Sequence, residues 1–335
     1  MSDANTLGNS GELTIYVDEY LQVLSGGLIN ASTFGAGNAG SVTVRANTLT
    51  IDGQDVGFAG IGSIAGPNAT SNGGDLNISV TEQLEIIDGG SIDTSTFGIG
   101  DAGSVRIQAK NLTIDGQDFG FTGIGSVADS GFDSNGGNLE IIIAERFEMI
   151  DGGRVSAFAE TGNAGNLIIS AGDDIHIENS RLSISAGQQS FDVNDLDGFQ
   201  QPELRIEAGD SIRIKNSILS TDAGAIGSER GAGGDIYLLA PTEIWLENST
   251  LLAQAGYAGG KVFISPIRYI VISSDVIEQE HVKGGNCSVI VSIPNGWIQS
   301  VDSLIDLSGE QSGSVLSNTS PFDLGAELSD LDMDF

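Results

Sequence analysis

Four aspartates, each followed by glycine, occupy matching positions in successive units of a repeated sequence. They are Asp52, Asp88, Asp115 and Asp151. Carboxylate oxygens are the hard ligands that Ca²⁺ prefers, so one column of stacked aspartates could bind a row of calcium ions. Aspartate before glycine also suits a sharp turn, because it tolerates left-handed backbone and hydrogen-bonds its own main chain. We favour the turn, since carboxylates about 4.8 Å apart repel by only about 1 kcal/mol in water and need no metal.

Two longer segments, 54–72 and 117–135, lie 63 residues apart and carry apolar side chains among polar ones. Apolar side chains exposed on a rigid scaffold often form binding sites, so we expect both loops to project from the same side and to contact a ligand. The alternative is that the aromatic rings fold back and cover the flank of the scaffold. The candidate residues are Phe58, Ile61, Phe119, Phe121 and Ile124.

Catalytic residue types are sparse. Enzymes that cleave polysaccharides need carboxylates that converge with a further acid, base or cationic group. His176 lies in an alternating Asp-Ile-His-Ile-Glu segment, and His281 lies near Glu278 and Lys283. Isolated histidines of this kind are more often surface residues than catalysts. The sequence therefore predicts no catalytic residue and no cofactor, with calcium at the four aspartates as the exception to be tested.

Charge and cysteine content exclude several classes of function. The chain has 13 Lys and Arg against 46 Asp and Glu, a formal net charge of −33. Such acidity argues against binding to nucleic acid or to anionic membranes, since both need basic residues. Cys287 is the single cysteine, so no intramolecular disulfide and no thiolate metal cluster is possible. The N-terminal residues lack the basic start and apolar run of a signal peptide and enter the repeat almost at once. We therefore expect a piece of a larger protein or a missed upstream start.

A long internal repeat indicates the architecture that holds these residues. Residues 38–64 and 101–127 are identical at 18 of 27 aligned positions, and the clearest repetition covers 9–165. Each half of the repeat contains two short segments in which apolar and polar residues alternate, for example Val42 and Val44, then Leu49 and Ile51. Alternation with a period of two predicts strands with one buried face. Fixed-period self-similarity means that each unit buries its apolar face by stacking on its neighbours.

These features predict an all-β fold, a right-handed parallel β-helix of about ten coils with three short strands each. Leucine-rich repeats would need a helical return, propeller blades would need four antiparallel strands, and a β-sandwich would need a longer unit. The many glycines, 48 in all, and only six prolines suit tight corners and uninterrupted strands. We expect one domain over 1–320, with a long polar loop at 187–198 and an acidic tail or cap at 321–335.

The repeated motifs resemble those of one protein family. The patterns are G-[SDN]-[VL]-x-[VI]-x-[AV] and L-x-I-[DE]-[GN], as in 103–109 with 112–116 and in 165–171 with 175–179. They are similar to the stalk of filamentous-haemagglutinin-type exoproteins, the secreted partners of bacterial two-partner secretion systems. The resemblance implies a non-enzymatic, adhesin-like protein, extracellular or on the bacterial cell surface. It also implies an outer-membrane transporter as partner and a glycan or protein ligand on a cell surface. Binding to nucleic acid and insertion into a membrane are not expected.

Overall fold

A computed structural model describes residues 8–54, 57–67, 69–117, 120–129, 134–187, 201–223, 233–254, 260–266, 269–273, 276–278, 288–291, 297–299, 304–306, 314–317 and 321–322. Within these residues the chain forms short strands and no helix. The strands are β1 (Leu13–Leu24), β2 (Leu28–Asn30), β3 (Val42–Asp52), β4 (Ala59–Gly62), β5 (Leu76–Val80), β6 (Gln83–Ile87), β7 (Gly90–Asp93), β8 (Val105–Ala109), β9 (Asn111–Asp115), β10 (Thr122–Ala128), β11 (Leu139–Ile143), β12 (Phe147–Ile150), β13 (Gly153–Ala159), β14 (Leu167–Ala171), β15 (Ile175–Glu178), β16 (Arg181–Ala186), β17 (Glu203–Ala208), β18 (Ser211–Lys215), β19 (Ile218–Ala223), β20 (Asp235–Ala240), β21 (Glu243–Glu247), β22 (Thr250–Leu252), β23 (Lys261–Pro266), β24 (Tyr269–Ser273), β25 (Val276–Glu278), β26 (Ser288–Val291), β27 (Trp297–Gln299), β28 (Leu304–Asp306), β29 (Ser314–Ser317) and β30 (Pro321–Phe322).

All of the described strand pairs are parallel, and each strand pairs with its counterpart in the next coil. In the ten-stranded sheet the order is β2, β4, β7, β10, β13, β16, β19, β22, β25 and β28. The remaining strands form a twenty-stranded sheet that covers the other two faces. These two faces belong to one sheet because β1 and β3 are long strands that each extend across both faces. In the next coil two shorter strands take the place of β3: β5 pairs with its first part and β6 with its second part. The chain is therefore an all-β parallel solenoid with three strands in each full coil, as the alternation predicts.

The core is a set of aliphatic columns along the solenoid axis. On the first face Val105 lies opposite Leu139, and on the second face Ile114 lies opposite Ile86 and Met149. These side chains have 0 to 1% of their surface exposed. Each buried aliphatic side chain contributes about 1.5–3 kcal/mol relative to an exposed one. The buried face predicted from the alternation is confirmed, since Val42, Val44, Leu49 and Ile51 are all buried.

Glycine corners allow neighbouring coils to approach closely. A Cβ added to Gly137 would clash with the backbone oxygen of Gly103, and one added to Gly165 would clash with that of Gly137. Buried hydroxyls complete the same corner, since Ser126 Oγ donates to the Gly103 oxygen at 2.9 Å and accepts from the Gly137 N–H at 2.8 Å. The recurring glycines are therefore structural, because they permit this close approach and its hydrogen bonds.

Asparagine and aspartate just before each glycine corner connect one coil to the next. Asn72 Oδ1 accepts a hydrogen bond from the Asp101 N–H at 3.0 Å, and Asp101 Oδ1 accepts one from the Asn135 N–H at 2.7 Å. Side chains of this kind satisfy backbone donors that no strand pairing reaches. Several earlier expectations lie outside the described residues: Phe119, His281, Cys287, most of the polar loop at 187–198, and the tail from 323 onward.

Candidate binding surface on the ten-stranded sheet

The four predicted aspartates do not form one column. Asp52 and Asp115 are the last residues of β3 and β9, and both pair with Ile87, the last residue of β6. Asp88 and Asp151 lie one position later, at the corner, with φ of 45° and 47°. The prediction of a single stack is wrong because β6 and β12 each contain one more apolar residue before the aspartate. No group of three or more His, Cys, Asp or Glu side chains suited to a metal occurs in the described part of the chain.

The corner column instead continues as a ladder of side-chain amides. Asn179 Nδ2 donates to Asp151 Oδ1 at 3.1 Å, Asn216 Nδ2 donates to Asn179 Oδ1 at 3.1 Å, and Asn248 Nδ2 donates to Asn216 Oδ1 at 2.8 Å. All four residues have φ between 47° and 49°. Left-handed backbone is tolerated best by glycine, asparagine and aspartate. The Asp-Gly and Asn-Ser corners thus serve as turns, and the amides link consecutive coils.

Ile61 and Ile124, predicted to lie in exposed loops, belong to the core. Ile61 has 1% and Ile124 0% of its surface exposed. They lie in β4 and β10, and both pair with Ile92 of β7. The prediction is wrong because each supposed loop contains the third strand of its coil, and the isoleucine is the inward residue of that strand. These two side chains therefore cannot contact a ligand.

Phe58 and Phe121 are exposed, as predicted. Their exposed fractions are 49% and 41%. Each lies just before a strand of the ten-stranded sheet, and the registers of β4 and β10 with β7 place both opposite Gly89. With one coil between them, the two residues are roughly 10 Å apart along the axis. They form an exposed aromatic pair with a glycine between them.

A strip without large side chains lies beside this aromatic pair. The outward residues of β4 and β10 are glycines, and those of β7 between them are a serine and an aspartate. Gly123 has a φ of 147°, which side-chain-bearing residues rarely adopt. The strip is therefore nearly flat, and Gly60, Gly123 and Gly125 are buried within the sheet. Its residues are Gly60, Gly62, Ser91, Asp93, Gly123 and Gly125.

Asp93 is the titratable residue of the strip. A Cβ added to Gly125 would lie 3.5 Å from Phe121 Cζ and 3.7 Å from Asp93 Oδ1, so the ring and the carboxylate converge above this glycine. Burial raises the pKa of the Asp93 carboxyl, and hydrogen bonds from the hydroxyl and the N–H of Ser95 act in the opposite direction. The carboxylate thus lies at a partly desolvated position beside the glycines of the strip.

Two arginines continue the surface beyond the glycine strip. Arg154 pairs with Gly123 on one side and with Arg181 on the other. A pocket of about 310 Å³ lies along them, and Gly152, Asn179 and Asn216 also line it. Sequence reasoning missed Asp93, Arg154 and Arg181, because the arginines lie 27 residues apart in sequence and meet only through the pairing of β13 with β16.

The one described histidine has a carboxylate neighbour on its own strand. His176 lies on the outer side of β15, where it pairs with Glu148 and Arg213. Its Nε2 atom lies 3.4 Å from Glu178 Oε2 on the same strand. An adjacent carboxylate and imidazole on an exposed strand form an ordinary surface ion pair when the histidine is protonated.

No family model matches the chain, and no curated protein or solved structure shows significant similarity to it. Within the described residues, no helix has the length and apolar character that a membrane span requires.

Proposed function

We propose that this chain is a non-enzymatic scaffold that binds a glycan or protein ligand on the outer surface of its ten-stranded sheet. The observation that supports this function is the aromatic pair, Phe58 and Phe121, which remains exposed beside a flat glycine strip. Large apolar side chains on a rigid surface mark interaction sites in soluble proteins. A parallel solenoid holds such residues at fixed spacing, and this lowers the entropy lost on binding.

The shape of the surface favours an extended ligand. The two rings, roughly 10 Å apart, are separated by Gly89. The glycines leave the strip without large side chains, and Asp93 adds a carboxylate beside Gly125. A flat strip with aromatic rings and a few polar groups suits an elongated chain such as a polysaccharide or an extended peptide.

The wider assignment is also a proposal. We propose that the chain belongs to a secreted or cell-surface, adhesin-like protein similar to filamentous haemagglutinin, exported through an outer-membrane transporter partner. The strand motifs and the parallel solenoid support it, since a long rod suits the display of binding surfaces away from a cell. We further propose about ten coils with a right-handed path. The ten strands of the third face support the number, and the strong preference of parallel crossovers for the right hand supports the path.

The binding proposal is tested with the purified chain and a panel of neutral and acidic polysaccharides and cell-surface glycoproteins, with and without calcium. We expect saturable binding to at least one member, with no cleavage products. The double variant Phe58→Ala/Phe121→Ala should bind that member at least tenfold more weakly while keeping its circular dichroism spectrum. Tyr20→Ala is the matched control, since this ring is 70% exposed on β1 of the other sheet. Equal binding by the double variant and Tyr20→Ala would contradict the proposed surface.

A polysaccharide lyase or hydrolase on the same scaffold is the alternative, and Asp93 is the observation that favours it. A carboxyl whose pKa is raised by burial can serve as a general acid. A hydrolase also needs a second carboxylate roughly 5–9.5 Å away. Cleavage products from the polysaccharide panel that vanish in Asp93→Asn would establish the enzyme and overturn the non-enzymatic proposal. Binding without products would exclude this alternative for the polymers in the panel.

A further inference from the structure

Arg154 and Arg181 lie directly opposite each other on adjacent strands, at the start of β13 and β16. Like charges directly opposite each other on neighbouring strands destabilise a sheet. Within the described part of the chain, neither guanidinium lies within ion-pair distance of a carboxylate. The protein has 46 acidic residues, yet none in the described part of the chain forms an ion pair with these two adjacent arginines.

Most other basic side chains in the described ranges have partners. Two more arginines lie over aromatic rings: Arg45 over Tyr16 and Arg213 over Trp245. Lys261 shares the lack of an ion pair, but it lies alone on β23. The arginine pair is therefore distinguished by the proximity of two uncompensated cations. Those that form ion pairs are Arg106, Lys110, Arg146, Arg205 and Lys215.

The pocket beside the arginine pair adds neutral donors. It has a volume of about 310 Å³, and Asn179 and Asn216 line it together with both arginines. Each asparagine uses one N–H of its Nδ2 atom in the amide ladder. The second N–H of each amide remains for another acceptor, since a carboxamide nitrogen carries two hydrogens. We call Arg154, Arg181, Asn179 and Asn216 the arginine pocket.

The acidic groups near the arginine pocket do not neutralise it. Asp151 accepts the hydrogen bond from Asn179 through Oδ1. Burial raises the pKa of the Asp222 carboxyl and the charge of Arg181 lowers it, but within the described residues the two side chains form no ion pair. Asp222 Oδ1 is itself buried without a hydrogen-bond partner among the described residues. Both guanidinium groups of the arginine pocket therefore remain available to an anionic ligand.

The arginine pocket is continuous with the aromatic surface. Thr122 pairs with Gly153, which places Phe121 one coil before Gly152 at the edge of the pocket. Gly123 pairs with Arg154, so no side chain separates the strip from the first arginine. A ligand ring resting on Phe121 would find Arg154 about one coil away and Arg181 about two coils away, roughly 5 and 10 Å along the axis.

We propose that the arginine pocket binds carboxylates of a uronate-containing polysaccharide whose neighbouring ring lies on Phe121. The planar guanidinium fork matches the two oxygens of a carboxylate, and the asparagine amides donate to the remaining lone pairs. This inference rests on the proposed function and names the class of ligand. It requires two features together, an apolar ring face and a regularly spaced carboxylate, and a polyuronate has both.

The experiment compares polygalacturonate with the same polymer fully methyl-esterified, because esterification removes the charge and keeps the sugar chain. We expect the wild-type chain to bind the acid form at least tenfold more tightly, with affinity that falls as salt rises. Arg154→Gln and Arg181→Gln should each weaken binding of the acid form about tenfold, the typical effect of one charged hydrogen bond. Neither variant should change binding of the ester.

Lys261→Gln is the control, since it removes the same charge at an unpaired site on another strand. Equal weakening by Lys261→Gln would assign the effect to net charge and overturn the arginine pocket. Equal binding of acid and ester by the wild type, lost in Phe58→Ala/Phe121→Ala, would overturn this inference and leave the proposed function standing. A sulfated polymer without carboxylates that binds more tightly than polygalacturonate through the same arginines would overturn the carboxylate assignment.

Discussion

Substitution of Asn179 separates the two roles of the amide ladder. This residue has a φ of 49°, and its side chain bonds to Asp151 in the preceding coil and to Asn216 in the following coil. Asn179→Ala removes both hydrogen bonds and places a Cβ without polar compensation in left-handed backbone. Asn179→Gly removes the same hydrogen bonds but adopts the left-handed conformation without strain. The two variants therefore differ mainly in the free-energy cost of placing residue 179 in left-handed backbone.

The magnitudes follow from these contacts. Left-handed backbone costs a residue such as alanine about 1–2 kcal/mol. Two partly exposed amide hydrogen bonds contribute about 1 kcal/mol together, at the lower end of the range for such bonds. We expect Asn179→Ala to lower the free energy of unfolding of its coils by about 2–3 kcal/mol. For Asn179→Gly we expect about 1–2 kcal/mol, which includes the added freedom of the unfolded chain.

The assay is urea unfolding combined with hydrogen exchange of the backbone amides in β15 and β18. Exchange is needed because the coils of a solenoid can open locally, so the global transition alone can hide the effect. The alanine variant should exchange faster than the glycine variant in these strands, and amides in β3 should be unaffected in both. An alanine variant as stable as the glycine variant would refute the argument that this corner requires left-handed backbone.

Two further predictions concern the core and the glycine strip. Ile114→Ala should lower the free energy of unfolding by about 2–5 kcal/mol, because it leaves a cavity in a closed aliphatic column. Thr113→Ala, on the outer side of β9, should lower it by less than about 1 kcal/mol. Equal losses for the two variants in urea unfolding would show that the buried face of β9 is assigned wrongly. Asp93→Asn should raise stability at neutral pH. The folded-state pKa of Asp93 lies above its unfolded value. The loss in free energy of unfolding that Asp93 causes is therefore absent at low pH and grows as the pH rises between the two pKa values. Unfolding curves of the variant and the wild type should therefore converge in acid and separate above this window, and a difference independent of pH would contradict the assignment.

The number of strands in each coil and the residues of the first two could be predicted from sequence, whereas the residues of the third could not. In β8 and β9 the period-two alternation of Val105, Ile107, Leu112 and Ile114 identifies the buried face, because both strands are rich in β-branched and aliphatic residues. In β4 the segment is Ala-Gly-Ile-Gly, which lacks this composition. It is a strand because the parallel strands of the preceding and following coils pair with it.

The candidate surface depends on register, which the sequence alone left ambiguous. Asp52 pairs with Ile87, so Asp88 lies one position further along the coil than Asp52. The Asp-Gly motif common to both does not indicate this difference in register. Arg154 and Arg181 become neighbours only because the intervening segment completes a full coil. Loop lengths differ from coil to coil, so residues that share a column have no constant separation in sequence.

The stacking register decides which side chains are neighbours, and distances between spin labels measure it most directly. Thr50, His176 and Arg213 occupy one outward column of the second face, through the pairing of β3, β6, β9, β12, β15 and β18. In a Cys287→Ser background, labels at Thr50 and His176 should lie roughly 19 Å apart, and labels at Thr50 and Arg213 roughly 24 Å, at about 4.8 Å per coil. An increase of about 5 Å between the two pairs is the result that a parallel stack of coils predicts. Distances that do not increase in this way, or that exceed roughly twice these values, would contradict the stacked solenoid.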